Sequence, residues 1–263
     1  TMLMHFLSGK AAINCFSQSQ NLELFVVDCG IKSAIETEDP CFILQRLGSG
    51  TENILDKPAM RMSTVRDGIT LGSRLVKKSI DDGCRLVLIG EMGIGNTTSA
   101  SAVFSALTGE GVRQCVGRGT GISDDAYEKK CHIVKQVVKR CKDKNPLDIL
   151  AEAGGFEIVQ MIGAIMAASE RHIPVLIDGF IVSVAAYAAC QIKPECRHYM
   201  VFSHKSHETP HALVLKKLNA KPLLDLSLRL GEGTGAALAL PLLHSAAAFY
   251  NTMATFEEAG ISI

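Results

Sequence analysis

The chain has no surplus of charge of either sign: 27 lysines and arginines balance 27 aspartates and glutamates among 263 residues. That balance excludes the uniform positive field that holds a nucleic-acid backbone or an anionic membrane, so any bound anion has to be held locally. Long apolar runs are missing as well. Stretches such as residues 85–89 and 246–250 fall far short of the roughly 20 residues that cross a bilayer, and a soluble protein is expected. There is no Cys-x-x-Cys pair, and nine cysteines at scattered positions such as Cys15, Cys84, Cys131 and Cys196 do not make an even framework. This excludes a disulfide scaffold, argues against zinc and points to a reducing, cytoplasmic setting. No His-Glu-x-x-His or comparable ligand spacing occurs, so no metal and no cofactor is expected. The N-terminus lacks a basic segment before an apolar core, which argues against a secretory signal. Instead Thr-Met-Leu-Met-His-Phe reads as a start in mid-helix, as though residues preceded it.

What is present is apolar enough, at 47% hydrophobic residues, to bury one large core with a small appended unit. Short β-rich runs alternate with longer helical patterns, the signature of a parallel sheet with helices on its faces. Strands are predicted over residues 24–27, 86–89, 175–177 and 199–202. Near-continuous apolarity in the first three implies burial on both faces, and all four read as interior strands. Helices are predicted over 2–18, 64–81, 97–107, 124–141, 157–170, 181–189, 209–218 and 235–258. Ser63 serves as a cap before the second. The fourth opens on Asp124 and ends near Lys139, Arg140 and Lys142, matching the helix dipole at both ends. The Ala-rich segments 185–189 and 236–248 suit close packing in the core or at a subunit interface. Residues 30–62, poor in pattern and rich in turn formers, read as a long surface excursion.

Four glycine-bearing segments follow strands, where ligands collect in a doubly wound sheet. The first, Gly90-Glu91-Met92-Gly93-Ile94-Gly95-Asn96-Thr97-Thr98, opens a helix and suits an anion through its backbone N–H groups and helix N-terminus. A Walker loop would carry Lys where Asn96 stands, so a nucleoside triphosphatase is discounted; a tight turn remains the plain alternative. The second, Val116-Gly117-Arg118-Gly119-Thr120-Gly121, precedes Asp124-Asp125 and Lys129-Lys130. Its spacing fails the dinucleotide fingerprint, and it is either a binding loop or a flexible surface loop. The third joins Asp178-Gly179-Phe180 to Ser203-His204-Lys205-Ser206-His207-Glu208, whose hydroxyls and imidazoles suggest a polar cavity. The fourth, Leu228-Arg229-Leu230-Gly231-Glu232-Gly233-Thr234-Gly235, sets one carboxylate among glycines. Glu232 is either a charge at a helix N-terminus or a partly desolvated base suited to proton abstraction. Glu91 is the other acid flanked by glycine.

In this order, the strings Gly-Glu-Met-Gly-Ile-Gly-Asn-Thr-Thr, Val-Gly-Arg-Gly-Thr-Gly, Gly-Gly-Phe-Glu-Ile at 154–158, Asp-Gly-Phe and Leu-Arg-Leu-Gly-Glu-Gly-Thr-Gly-Ala resemble the nicotinate-nucleotide:dimethylbenzimidazole phosphoribosyltransferase family. The early run from His5 to Asn14 is similar to that family's Asn-Phe-Leu-x-Gly-x-Ala-Ala-Ile-Asn, and the resemblance extends to Met-Ala-Thr-Phe at 253–256. It implies transfer of 5-phosphoribose from nicotinate mononucleotide to 5,6-dimethylbenzimidazole or a related base. Glu232 would be the base and Glu91 the acid that assists it or stabilises the cationic sugar. Substrate contacts would fall on Gly93, Gly95, Gly119, Lys130, Gly179 and Ser206, with Asp178 positioning loops or the ribose. The resemblance further implies a three-layer α/β fold with a Rossmann-like parallel sheet, residues 21–235 forming the phosphoribosyl-binding core and 1–20 with 236–263 a small helical subdomain. A homodimer is expected. Family members carry an additional N-terminal stretch that lines the base pocket, and Leu3 stands where a Gln is common. The rival reading is a non-catalytic or truncated paralogue that binds nucleotide or a partner subunit; retention of both Glu91 and Glu232 favours the enzyme.

Overall fold

The computed structural model describes residues 2–119 and 121–260. Thr120 of the second glycine segment, Thr1 and the end of the 236–263 unit lie outside the described residues. The chain is a mixed α/β structure with parallel sheets. In order it forms α1 (Met2–Leu7), α2 (Ala12–Ser19), β1 (Val26–Asp28), β2 (Phe42–Leu44), α3 (Met62–Asp81), β3 (Val87–Ile89), α4 (Asn96–Thr108), α5 (Val112–Cys115), α6 (Asp124–Arg140), α7 (Pro146–Ala153) and α8 (Phe156–Glu170). There follow β4 (Val175–Ile177), α9 (Phe180–Ile192), a 3₁₀ turn (Pro194–Tyr199), β5 (Met200–Phe202), α10 (His211–Lys217) and α11 (Thr234–Thr252). Among the described residues no helix is long and apolar enough to cross a membrane.

Strands β3, β4 and β5 make a parallel sheet in that order, with Ile89 opposite Ile177 and Ile177 opposite Phe202. Alternation of side chains along a strand sends neighbouring residues to opposite faces. In β4, Val175 and Ile177 join the main core with α3, α4, α8 and α9, whereas Leu176 packs with Ala236, Ala239 and Leu240 of α11. Helices therefore cover both faces, and all three residues of β4 are buried. Helix α2 docks on α11, burying Ile13 and Ala237 in a third apolar cluster. Helices α3 and α8 pack so closely that a side-chain carbon at Gly72 would lie 1.9 Å from Gln160 O, and one at Gly163 would lie 1.9 Å from Ile69 O.

Several sequence expectations change. The first predicted strand is not an interior strand of the main sheet: β1 pairs only with β2 in a separate two-stranded parallel sheet. The excursion at 30–62 holds β2 and buries Ile54, Ala59 and Met60, so it is part of the body and not merely a surface loop. The first predicted helix is two, because Gly9 takes φ +71° and ends α1, a conformation that glycine adopts without steric penalty. Ser63 lies inside α3, whose N-cap is Arg61, and α11 ends at Thr252 with Ala246 to Ala248 exposed.

Candidate active site

The C-terminal ends of β3, β4 and β5 release the chain at Gly90, Asp178 and Ser203. The turn of residues 231–233 comes to this edge because Gly90 has no side chain: a carbon there would lie 2.1 Å from Gly233 N. The N–H of Glu232 donates to Glu91 O at 2.9 Å, so the two candidate acids sit on abutting turns. Gly231, Glu232 and Gly233 take φ values of +73°, +64° and +81°. Glycine accepts this region freely, but for Glu232 it costs roughly 1–2 kcal/mol, a strain that persists only where the surroundings over-determine the conformation. The half-buried Glu232 carboxylate accepts the N–H of Ile13 from the first turn of α2 at 3.1 Å, which fixes its direction.

Asp178 organises this edge from below. Its carboxylate, almost wholly buried, accepts the N–H groups of Gly233 at 3.2 Å and Ala236 at 3.1 Å and thereby caps α11. The same carboxylate faces His204 Nε2 at 3.4 Å. Glu91 accepts a hydrogen bond from the side chain of Asn96, the first residue of α4. Burial raises the Glu91 carboxyl from 4.5 to about 7; the Asn96 bond opposes this shift, and the charges of Glu157 and Asp178 add to it. An acid that titrates near neutrality can take or give a proton under ordinary conditions.

A second group of polar atoms gathers at Thr97 in the first turn of α4. Lys130 reaches across from α6, its ammonium donating to Thr97 Oγ1 and Gly117 O at 2.9 Å each. Burial lowers the Lys130 ammonium, opposed by the charge of Glu208. Gly119, at φ +56°, lies over Thr97, and its N–H donates to Glu208 Oε2 at 3.4 Å. Gly95 at φ +91° is the N-cap of α4 with no side chain capping it, and the Asn96 and Thr98 N–H groups donate to Gly93 O at 3.3 Å and Gly95 O at 3.1 Å. Gly179 adjoins Ser206 and His204, a side-chain carbon at Gly179 lying 3.8 Å from Ser206 Cβ. The Ser206 N–H donates to His211 Nδ1 at 2.8 Å, and His211 Nε2 meets the Ser183 hydroxyl at 2.9 Å. Burial pushes His211 down to about 3, so it stays neutral and serves as a fixed acceptor for the Ser206 loop.

The fold thus sets Glu91 and Glu232 on abutting turns with Asp178 bonded to the second, joins Lys130 to Thr97 and Gly117, links Gly119 to Ser206 through Glu208, and lays Gly179 beside Ser206. The expected cavity of imidazoles is corrected. His204 and His211 are buried structural groups, whereas Lys205 and His207 are exposed, with Lys205 paired to Asp225. Sequence reasoning passed over Thr97, Glu157, Glu208 and His211 as members of the site; Glu157 stands within one of the family strings, but nothing local indicates which group it meets. Two surface clefts, one lined by Ile35, Phe42 and Leu44 and one by Lys57, Met60 and Lys144, share no residue with this constellation.

A family model described as Phosphoribosyltransferase matches residues 1–261. The nicotinate-nucleotide–dimethylbenzimidazole phosphoribosyltransferase of Vibrio atlanticus (strain LGP32) is 51% identical over 262 residues, covering 100% of this chain and 77% of the relative. Its namesake in Vibrio vulnificus (strain CMCP6) is 53% identical over 262 residues with the same coverage. The crystal structure of CobT from Thermus thermophilus superposes with a TM-score of 0.95 at 37% identity, over 99% of this chain and 78% of that one.

Proposed function

Because this chain belongs to the nicotinate-nucleotide–dimethylbenzimidazole phosphoribosyltransferase family, we propose that it moves 5-phosphoribose from nicotinate mononucleotide to 5,6-dimethylbenzimidazole or a related base. The products are nicotinate and α-ribazole 5'-phosphate, the latter a nucleotide of cobalamin biosynthesis. The observation that carries the site assignment is the abutment of the Glu91 and Glu232 turns, joined by the Glu232 N–H to Glu91 O bond. Rupture of a ribosyl–pyridinium bond releases a neutral ring nitrogen, so the leaving group needs no acid. The attacking benzimidazole sheds one ring proton, and Glu232 accepts it. Glu91 lends negative charge to the oxocarbenium-like sugar, a role that preorganised carboxylates fill in glycosyl transfer.

The 5'-phosphate lies between the α4 N-terminus and the Gly119 loop, with Lys130 as counter-charge and amides of Gly93, Gly95 and Gly119 as donors. Gly179 and Ser206 line the ribose side. Asp178 acts on the substrate indirectly, by holding the turn that carries Glu232. Residues 21–235 form the phosphoribosyl-binding core, and 1–20 with 236–263 a helical subdomain. The functional unit is a homodimer. All nine cysteines are unpaired, which supports a cytoplasmic location.

The test mixes the protein with nicotinate mononucleotide and a panel of benzimidazoles, purines and phenols and follows nicotinate by chromatography. Release that depends on an acceptor is expected; no release with any acceptor from folded protein would refute the reading.

A further inference from the structure

The N-terminus of α2 lacks the side-chain cap that helices commonly carry. Its N-cap is Ala11, whose methyl group cannot accept a hydrogen bond, so the first amides of the helix need acceptors from elsewhere. Glu232 supplies one of them from 219 residues along the chain: its Oε2 accepts the N–H of Ile13, the second residue of α2, at 3.1 Å. The Ile13 side chain meets the same turn from its apolar side, since a carbon at Gly233 would lie 3.8 Å from Ile13 Cδ1, and it packs with Ala237 of α11. The first turn that presents this amide is fastened by Asn14. Asn14 Oδ1 reaches back to accept the Ala11 N–H at 3.0 Å, and Asn14 Nδ2 donates to Phe6 O at 3.0 Å. Phe6 O also accepts the Gly9 N–H at 3.1 Å, so one side chain ties the end of α1 to the start of α2 across the left-handed corner at Gly9.

We propose that Asn14 is a positioning residue for the transfer reaction: by fixing the first turn of α2 it aims the Ile13 N–H, which holds Glu232 Oε2 and leaves Oε1 to take the proton of the attacking base. Ala11 belongs to the same device. A serine or threonine at that N-cap would offer its hydroxyl to the first-turn amides and compete with Glu232 for them. A general base has to lie within hydrogen-bond reach of the proton it removes, and a displacement of about 1 Å costs up to about 10²-fold in rate. The inference deepens the phosphoribosyl-transfer reading and rests on it for its kinetic part only.

Amide hydrogen exchange followed by NMR tests the contact without turnover. The Ile13 amide should exchange about tenfold faster in Glu232→Ala than in the unaltered protein and stay protected in Glu232→Gln, which keeps the acceptor. Asn14→Ala should release the same amide to a similar extent while the amides of β4 keep their protection. An Ile13 amide that stays protected in either alanine variant would overturn the proposal. In the nicotinate-release assay Asn14→Ala should lower kcat about tenfold while leaving KM for nicotinate mononucleotide within about twofold, the pattern of a misplaced catalytic group. Added to Glu232→Gln it should change kcat by less than about twofold, because the oxygen it aims is then no longer basic. An unchanged kcat in folded Asn14→Ala counts against the positioning role, and so does an equal loss in both backgrounds, which mere loosening of the corner would give. If Asn14→Ala fails to fold, Ala11→Ser takes its place: it should lower kcat severalfold without lowering the unfolding temperature, and an unchanged kcat would sink the idea. If the unaltered protein releases no nicotinate, the transfer reading fails, while the exchange rates still decide whether Asn14 and Glu232 hold one amide between them.

Discussion

Glu232 is the one non-glycine residue of the 231–233 turn and so the one strained by its left-handed backbone, and its carboxylate is aimed by a main-chain N–H of α2. Substitution by Gln keeps the backbone and the acceptor oxygen and removes only the basicity. Glu232→Gln should therefore lower kcat for nicotinate release by roughly 10²–10⁴, the usual scale for loss of a general base, with little change in thermal stability. An unchanged rate would move the proton transfer to Glu91. For Glu91 itself the folded chain holds the proton more tightly than the unfolded chain does, since burial raises its carboxyl from 4.5 to about 7. The associated stability is complete below pH 4.5 and is lost as pH rises through about 7. Glu91→Gln should leave urea stability at about pH 4 nearly unchanged and raise it at about pH 8 by about 1–3 kcal/mol, a range that allows for solvent at the half-buried carboxyl. Equal shifts at both pH values would show that the ionisation of Glu91 costs the fold nothing. Glu91 and Glu232 were legible as candidates from their glycine flanks. The bond that aims Glu232 was not, because Ile13 meets it only in space.

At the scale of elements, glycine decides which helices and turns can approach. Gly72 and Gly163 let α3 and α8 touch backbone to backbone, and Gly235 leaves room for the His204 ring, which a side-chain carbon would meet at 2.0 Å. Gly72→Ala should destabilise the protein by about 3 kcal/mol, the upper end for overpacking, because the obstacle is the Gln160 carbonyl and cannot rotate away. Chemical denaturation checks this, and a loss below about 0.5 kcal/mol would mean that the helices can separate at almost no cost. Helices with strong periodicity, such as α3 and α6, were readable within a residue or two. The break between α1 and α2 was not, since it rests on the φ of Gly9. Nor was β2, whose short run Phe42-Ile43-Leu44 is only half-covered and gives no alternation to detect.

At the scale of the whole molecule, large apolar side chains remain exposed among the described residues. On α11 and just beyond it, Leu242, Phe249, Tyr250, Met253 and Phe256 are exposed, Tyr250 to 88%. A group of exposed large apolar side chains suits an interaction surface. The homodimer proposed above would cover it, and light scattering should give twice the mass of 28.2 kDa. Phe249→Asp with Tyr250→Asp should return the protein to monomers, because a buried unpaired charge opposes association. A mass unaffected by both changes would assign the dimer to another surface.

Composition and periodicity by themselves determined the α/β class and the glycine segments that follow β3 and β4, because apolar burial and backbone freedom are properties of local sequence; that β4 alone is interior, with β3 and β5 at the edges, was not among the readings. Only the tertiary structure decided that Lys130 meets Thr97 and Gly117, that Asp178 caps α11 and that β1 leaves the main sheet. Each of those depends on atoms far apart in the chain, whose meeting is fixed by how the helices close over both faces of β3, β4 and β5.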